Sequence, residues 1–454
     1  MIANSQSSLM PVMPLEFDGL MSSIGYFEKN PVIAIATSGG GDSMALLLLA
    51  NEWAISRNGR VISLTVNHQL RTEATDEAQQ VAKWCAEYNI EHHILCWEHN
   101  AEISSSIHEN ARTARYRLMN DWCVNNNILH LLLAHHLDDQ VETFFFRLAR
   151  GSSLDGLSCM SAQYVASGVR LIRPFLQINK SRLIETLKFK VQEWIQDPSN
   201  FNNQYTRVHI RQQLLELKNE TDIKQRARQI IFKFALLRSK LEQILVSQIT
   251  NNVKIFPEGY GIIAADLFSL MEIHVSIKLL GKIIVALNGN PHPPRHEKLL
   301  YFATLIKNNN LNSKYSIGGL LFERLPDSRI IIYRETKSLG KTITINSRMP
   351  VLWDNRFMVE WRGNTHKTEL KLQALGSEGL KQIKKNAPHL LNNKPAARIL
   401  RTLPSLWLLE QLVFVPHINY INNNARVEID KLNIKFFPAK PLAGSSFFVM
   451  NMNI

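Results

Sequence analysis

The sequence predicts an α/β protein with a doubly wound parallel sheet at its N-terminus. A mainly helical domain and a small mixed α/β C-terminal domain are expected to follow. Three observations carry this reading. Up to about residue 215, short apolar runs rich in β-branched residues alternate with helical stretches, the pattern of strands buried on both faces. A Gly-rich turn and an acidic cluster each follow such a run and open a helix. Beyond 215 the alternation gives way to one long amphipathic helix and a series of hairpins.

In chain order, Val32–Thr37 is a first strand, and a helix runs from Ser43 after the Gly-rich turn. Val61–His68 and His92–Trp97 read as strands, separated by a polar-faced helix over Thr72–Tyr88. His108–Asn126 is a helix, Leu129–His135 a fourth strand and Asp138–Arg150 the next helix. Thr221–Ile249 carries apolar residues at Ile230, Ile231, Phe234, Leu237, Leu241 and Ile244, the spacing of one helix face. Val253–Ala264 and Ser316–Tyr333 read as hairpins, the second turning at Pro326-Asp327-Ser328. Gly259-Tyr-Gly261-Ile-Ile-Ala264 matches a dinucleotide fingerprint formally, but it leads into a strand rather than a helix, so it reads as a hairpin turn. The expected division is 1–215 for a catalytic domain, 216–340 for the helical domain, 341–365 for a strand-rich connector and 366–454 for the last domain.

With 454 residues, 45% of them hydrophobic, the chain is too long for one ordinary core and too apolar to be disordered. No apolar run approaches the ~18 residues of a membrane span, and residues 1–15 lack the pattern of a signal peptide. Four scattered cysteines (Cys85, Cys96, Cys123, Cys159) suit a reducing, cytoplasmic setting. The charge is uneven. Residues 1–212 hold 18 Lys+Arg against 21 Asp+Glu, and residues 213–454 hold 34 against 18, so the net +13 arises wholly in the second half. A near-neutral half joined to a basic one suits an enzyme with a polyanion-binding appendage.

Ser38-Gly39-Gly40-Gly41-Asp42-Ser43 follows a buried strand and opens a helix. Glycines let backbone N–H groups converge on a phosphate, and the helix N-terminus adds positive potential. Asp42 can hold Mg²⁺ against the same phosphates. The chain has no GxxxxGK[ST] lysine loop, and a lysine-free loop in this position is the kind that splits ATP between its α and β phosphates.

His135-His-Leu-Asp138-Asp139-Gln-Val-Glu142-Thr143 lies at the carboxyl end of the fourth strand, the edge where ligands of open α/β sheets gather. Asp138 and Glu142 are four residues apart and share a helix face. Capping the helix needs one acid, and three acids with His135 exceed that need.

Taken in order, these motifs and those around them resemble the tRNA(Ile)-lysidine synthase family, built on a PP-loop, adenine nucleotide alpha hydrolase-like fold. The supporting stretches are Val66-Asn67-His68, Ala111-Arg112-x-x-Arg115-Tyr116, Phe146-Arg147-Leu-Ala-Arg150-Gly151, Arg173-Pro174-Phe175 and Asp197-Pro-Ser-Asn200 with Arg207 and Arg211. Arg398-x-x-Arg401 and Leu412–Pro416 resemble the family's C-terminal domain more loosely. Two departures are Val208 after Arg207, where the family usually has Asn, and Gln69, where Gly is commoner.

The resemblance implies a ligase that uses ATP and Mg²⁺ to attach L-lysine to C2 of the wobble cytidine in tRNA(Ile) with a CAU anticodon. An adenylated tRNA is the intermediate, and AMP and diphosphate are released. It implies catalytic roles for Asp42, Asp138, Glu142 and Arg150, with Asp42 on the metal and Ser38 to Ser43 on ATP. Substrate contacts are implied for His135, Arg112, Asp138, Asp139, Glu142, Arg207 and Arg211. Arg226, Arg228, Lys233, Arg238, Lys240, Lys381, Lys384, Lys385, Arg398 and Arg401 are candidates for the tRNA backbone. The alternatives on the same loop are a tRNA thiolase, which would want paired or catalytic cysteines, and a small-molecule amide ligase, which would not need a basic half. A catalytically dead RNA-binding protein is a further alternative, against which intact Asp42, Asp138 and Glu142 speak.

Overall fold

Alternate residues of the first strand, β1 (Val32–Ala36), serve two different cores. Ile33 and Ile35 enter one cluster while Ala34 enters another, which is why the run is apolar throughout rather than alternating. A computed structural model gives the arrangement and describes residues 10–69, 73–98, 107–196, 210, 212–213, 220–311, 314–345, 350–361, 370–392, 394–422, 432–444 and 446–450. The chain divides into two compact units, Met1–Glu242 with Ser445–Ile454, and Gln243–Gly444. The four segments expected from sequence do not nest within these units: 216–340 runs across Glu242 and Gln243, and 366–454 across Gly444 and Ser445.

In the first unit, α1 (Pro14–Ile24) precedes β1, and α2 (Gly41–Ile55), β2 (Arg60–Asn67), α3 (Glu73–Glu87), β3 (Glu91–Cys96), α4 (Ile107–Asn125), β4 (His130–Leu132) and α5 (Leu137–Ala149) follow. The chain continues through α6 (Leu154–Leu157), β5 (Gln163–Ala166), β6 (Val169–Ile172), α7 (Lys180–Phe189) and α8 (Glu220–Asn252), of which the unit includes the part up to Glu242. The strand order is β3-β2-β1-β4-β6-β5, parallel except for the edge strand β5. Helices α1, α2 and α7 bury Phe17, Leu46 and Leu183 on one face, and α4 buries Met119 and Cys123 on the other. Trp53 and Trp84 pack in the first core, and Trp122 packs against the second. The sequence pattern does not reveal α1, α7 or the β5–β6 hairpin, whose strands of four residues are too short to show a period.

The strand order reverses between β1 and β4, which pair in parallel through Ile33–His130 and Ile35–Leu132. The crevice outside the carboxyl ends of two such strands is where this class of sheet binds ligands. The Gly-rich turn leaves β1 there, and the acidic motif leaves β4.

Segment Ser446–Met450 returns to the first unit as a strap. The Phe447 N–H donates to the Glu242 carboxylate at 2.6 Å, the Phe448 N–H donates to Ser161 Oγ at 2.8 Å, and the Gln177 amide donates to the Met450 carbonyl at 2.9 Å. Arg238 stacks 4.3 Å over the Phe447 ring.

The second unit opens with an antiparallel sheet of order β7-β8-β11-β10-β9, formed by β7 (Val253–Ile255), β8 (Gly261–Ala264), β9 (Tyr315–Ile317), β10 (Leu320–Arg324) and β11 (Arg329–Arg334). Both expected hairpins are present, and Gly259 turns the first of them. Between β8 and β9 lie α9 (Asp266–Leu270), α10 (Ile273–Asn288) and α11 (His296–Lys307), with α10 deeply buried through Leu279, Ile283 and Leu287. The rest holds a five-stranded and a three-stranded antiparallel sheet, with a helix over Gly376–Asn386. Arg356 is fully buried; it donates to Asp354 at 2.7 Å and to the carbonyls of Gly259 and Leu287 at 3.1 and 3.2 Å. Among the described residues, no helix is long and apolar enough to cross a membrane.

Candidate active site

The loop after β1 is shaped for close backbone approach. Gly39 has φ +80°, and a Cβ there would fall 2.5 Å from Ile195 Cδ1. A Cβ on Gly41 would fall 2.8 Å from Ile184 Cδ1. Gly40 is the N-cap of α2, and no side chain caps that helix. Its first-turn N–H groups therefore stand ready for an anion. A Cβ on Gly40 would meet only Ser38 Oγ, at 3.5 Å, so this side of the loop has room for a ligand. Ser43 Oγ locks the turn, accepting from the Ser38 N–H at 3.1 Å and donating to the Gly40 carbonyl at 2.8 Å.

Asp42 sits in the first turn of α2. Its Oδ2 lies 3.4 Å from His136 Nε2 and 3.5 Å from Lys180 Nζ. Burial works against its ionisation, but the imidazole and the ammonium outweigh it and hold the carboxyl below the usual range. Its Oδ1 is buried without a hydrogen-bond partner among the described residues. That orphaned oxygen suits a hard divalent cation. No group of three or more His, Cys, Asp or Glu among the described residues forms an all-protein metal site. One carboxylate plus substrate phosphates is how Mg²⁺ is usually held.

His136 joins the two motifs, alongside Lys180. It is the N-cap of α5: its Nδ1 accepts from the Asp139 N–H, and Asp139 Oδ2 accepts from the His136 N–H at 3.0 Å, a reciprocal capping box. The ring also lies 3.7 Å from Asp138 and 3.6 Å from Asp139. Burial disfavours the imidazolium, but Asp42, Asp139 and Asp138 overcome this and raise its pKa above the ordinary value. The sequence reading singles out His135 instead. The one available signal was the His-His pair immediately before a helix start, with only the second residue in the N-cap position.

Asp138 is held on both oxygens. Oδ2 accepts from the Lys180 backbone N–H at 2.9 Å, and Oδ1 pairs with Lys224 Nζ at 2.7 Å. Burial would raise its pKa, but Lys224 and that N–H prevail and lower it. Glu142 is buried one turn further along α5. His135 lies on the other side, where burial, Arg173, Arg112 and Arg115 push its pKa well below the ordinary value. Arg112 and Arg115 lie 5.3 and 5.7 Å over the Tyr116 ring, and Arg173 lies 5.6 Å over Tyr164.

Arg150 is not brought to this cluster. It is the C-cap of α5, about 18 Å along the axis from Asp138 at 1.5 Å per residue, exposed and stacked 4.2 Å over Phe146. Arg147 donates to the Gly156 carbonyl at 2.7 Å and so holds the local turn. Arg207 and Arg211 lie outside the described residues. Cys85, Cys123 and Cys159 are buried, and burial pushes the Cys123 and Cys159 thiols up to about 12, far from the thiolate a nucleophile needs.

Residues 15–218 match the PP-loop domain. Over the greater part of its length, the chain is similar to proteins named tRNA(Ile)-lysidine synthase. That of Orientia tsutsugamushi (strain Boryong) is 32% identical over 413 residues, covering 89% of this chain and 92% of the relative. That of Rickettsia bellii (strain RML369-C) is 33% identical over 412 residues, covering 89% and 93%. That of Wolbachia pipientis wMel is 30% identical over 414 residues, covering 91% and 94%. The chain belongs to the tRNA(Ile)-lysidine synthase family. As a member of that family it is a ligase, and its PP-loop domain binds ATP. In this chain the PP loop and the acidic motif meet at the His136 imidazole and at Lys180.

Proposed function

We propose that this chain uses ATP to join L-lysine to C2 of the wobble cytidine of tRNA(Ile) with a CAU anticodon, in the cytoplasm, releasing AMP and diphosphate. The observation that carries this reading is the placement of the phosphate loop beside a cluster of carboxylates, in a chain about one-third identical to named synthases over nine-tenths of its length.

In the first step the cytidine O2 attacks the α-phosphorus of ATP, and the bond to the diphosphate breaks. The loop N–H groups from Gly39 to Gly41 and the α2 N-terminus hold the phosphate oxygens, with Lys180 beside them. Asp42 would hold Mg²⁺, which supplies charge neutralisation on the departing diphosphate. Arg112 and Arg115, with Arg173, form a cationic wall suited to a phosphodiester of the tRNA.

In the second step the ε-amine of lysine attacks C2, and AMP leaves with the C2 oxygen. Freeing the amine from its ammonium at neutral pH costs roughly 4–5 kcal/mol. Asp138, kept ionised by its neighbours, is a weak base but a strong acceptor. Its role is to orient the ammonium, with Glu142 beside it, while the proton passes to water. The basic segments 216–340 and 366–454 take the tRNA backbone. Arg150, exposed at the end of α5, is assigned to RNA rather than to the reacting atoms.

The test is incorporation of labelled lysine into CAU tRNA. Wild type transfers label with stoichiometric AMP and diphosphate, and Asp138→Asn raises the lysine KM while leaving the ATP KM unchanged. ATP turnover with no label in RNA would refute the reading.

A further inference from the structure

Lys224, four residues into the described part of α8, places its own ammonium on the carboxylate assigned above to the ammonium of substrate lysine. Its Nζ lies 2.7 Å from Asp138 Oδ1 and also 2.7 Å from Glu220 Oε1, one helical turn back. The other Asp138 oxygen is engaged by the Lys180 N–H. A second ammonium arriving at Asp138 would sit within a few ångströms of the first, and two like charges that close repel strongly in a half-buried setting.

We propose that Lys224 is an internal competitor for the lysine subsite, displaced when substrate lysine binds and received by Glu220. This rests on the assignment of Asp138 to substrate lysine. Both Lys224 and Asp138 are about three-quarters shielded, so the pair is neither a freely solvated surface bridge nor a sealed one. The shared position between two carboxylates makes displacement inexpensive. Leaving Asp138 does not strand the Lys224 charge, because the Glu220 half of the bridge remains. The competitor and the substrate carry the same primary ammonium on the same four-carbon stem, so a subsite that satisfies one satisfies the other. Lys224 thereby sets the lysine concentration at which the enzyme works, without touching the ATP loop.

The two carboxylate partners predict opposite effects. In the full-length protein with CAU tRNA and saturating ATP, Lys224→Met lowers the lysine KM about fivefold, the order expected when one nearby like charge is removed. Glu220→Gln takes away the receiving partner, fastens Lys224 to Asp138 and raises the lysine KM several-fold. The double variant follows Lys224→Met, since Glu220 acts only through Lys224. Lys224→Arg retains a cation of similar reach and does not lower the lysine KM; if Lys224→Met fails to fold, Lys224→Gln and Glu220→Gln decide. An unchanged or raised lysine KM in Lys224→Met overturns the inference, as does a double variant that follows Glu220→Gln. Should Asp138→Asn leave the lysine KM untouched, it is the assignment of Asp138 that fails, and that outcome is read separately from the Lys224 series.

Discussion

His136 Nε2 stands 3.4 Å from Asp42 Oδ2, so one buried imidazole ties the first turn of α2 to the first turn of α5. With Asp138 and Asp139 also beside it, the His136 ring lies among three carboxylates. Replacing it by Leu removes the N-cap and takes one partner from each of those acids, which is expected to cost about 3 kcal/mol. The sign with pH follows from the raised pKa. The imidazolium contributes fully below the unfolded value of about 6.5, and its contribution is lost as pH rises through the higher folded value. Urea unfolding at about pH 5.5 and about pH 9 should therefore show a larger deficit for His136→Leu at the lower pH.

Asp42→Asn keeps the shape of the loop but removes the charge that faces the orphaned Oδ1 position. Diphosphate release from ATP is expected to fall at least about 100-fold, the scale of losing one preorganised electrostatic contact. The unfolding midpoint should fall slightly, because His136 and Lys180 outweigh burial and favour the ionised carboxylate in the folded state. Chelating divalent cations should stop wild-type turnover, and a chelator-resistant enzyme would remove Asp42 from a metal role.

Of the cations proposed for the tRNA backbone, Arg238 is committed to Glu242 and the Phe447 ring, and Arg398 lies 3.3 Å from Glu323. Lys384 and Lys385 are exposed at the end of a helix. The double variant Lys384→Gln/Lys385→Gln should weaken tRNA binding at low salt and reduce the slope of log K against log salt by about 1 per lysine. An unchanged slope would remove them from the interface.

Arg356 holds one corner of the second unit from within. Truncation to Ala leaves Asp354 short of one partner and frees the Gly259 and Leu287 carbonyls in a buried site. The expected loss is about 3–5 kcal/mol. Guanidinium denaturation followed by tryptophan fluorescence at Trp353 measures it, since Trp353 is buried in the same unit.

Gln69 shows what a sequence departure means once the backbone is known. The residue has φ +53°, and its N–H is held by Asn67 Oδ1 at 2.9 Å. A glycine would take that conformation without steric penalty. The hydrogen bond from the Gln69 N–H to Asn67 Oδ1 holds Gln in that conformation.

The eight alternating elements from Val32 to Arg150 were legible from the chain, because strand burial and helix periodicity are local properties written into short runs of sequence. So were both motifs, since glycines before a helix and acids in a first turn have local physical causes. What no local pattern carries is which partner each charge meets. Lys224 finds Asp138 across 86 positions of chain, and Arg356 finds Gly259 across 97. His136 rather than His135 faces Asp42 because the cap of α5 turns one ring inward and the other toward the arginines. The sequence by itself determined the first four strands of the sheet, the loop and the acids. Only the tertiary structure decided that an imidazole joins them and that a lysine of the chain occupies the place proposed for the lysine of the substrate. Charges separated by many residues are paired by packing, and packing is a property of the whole fold.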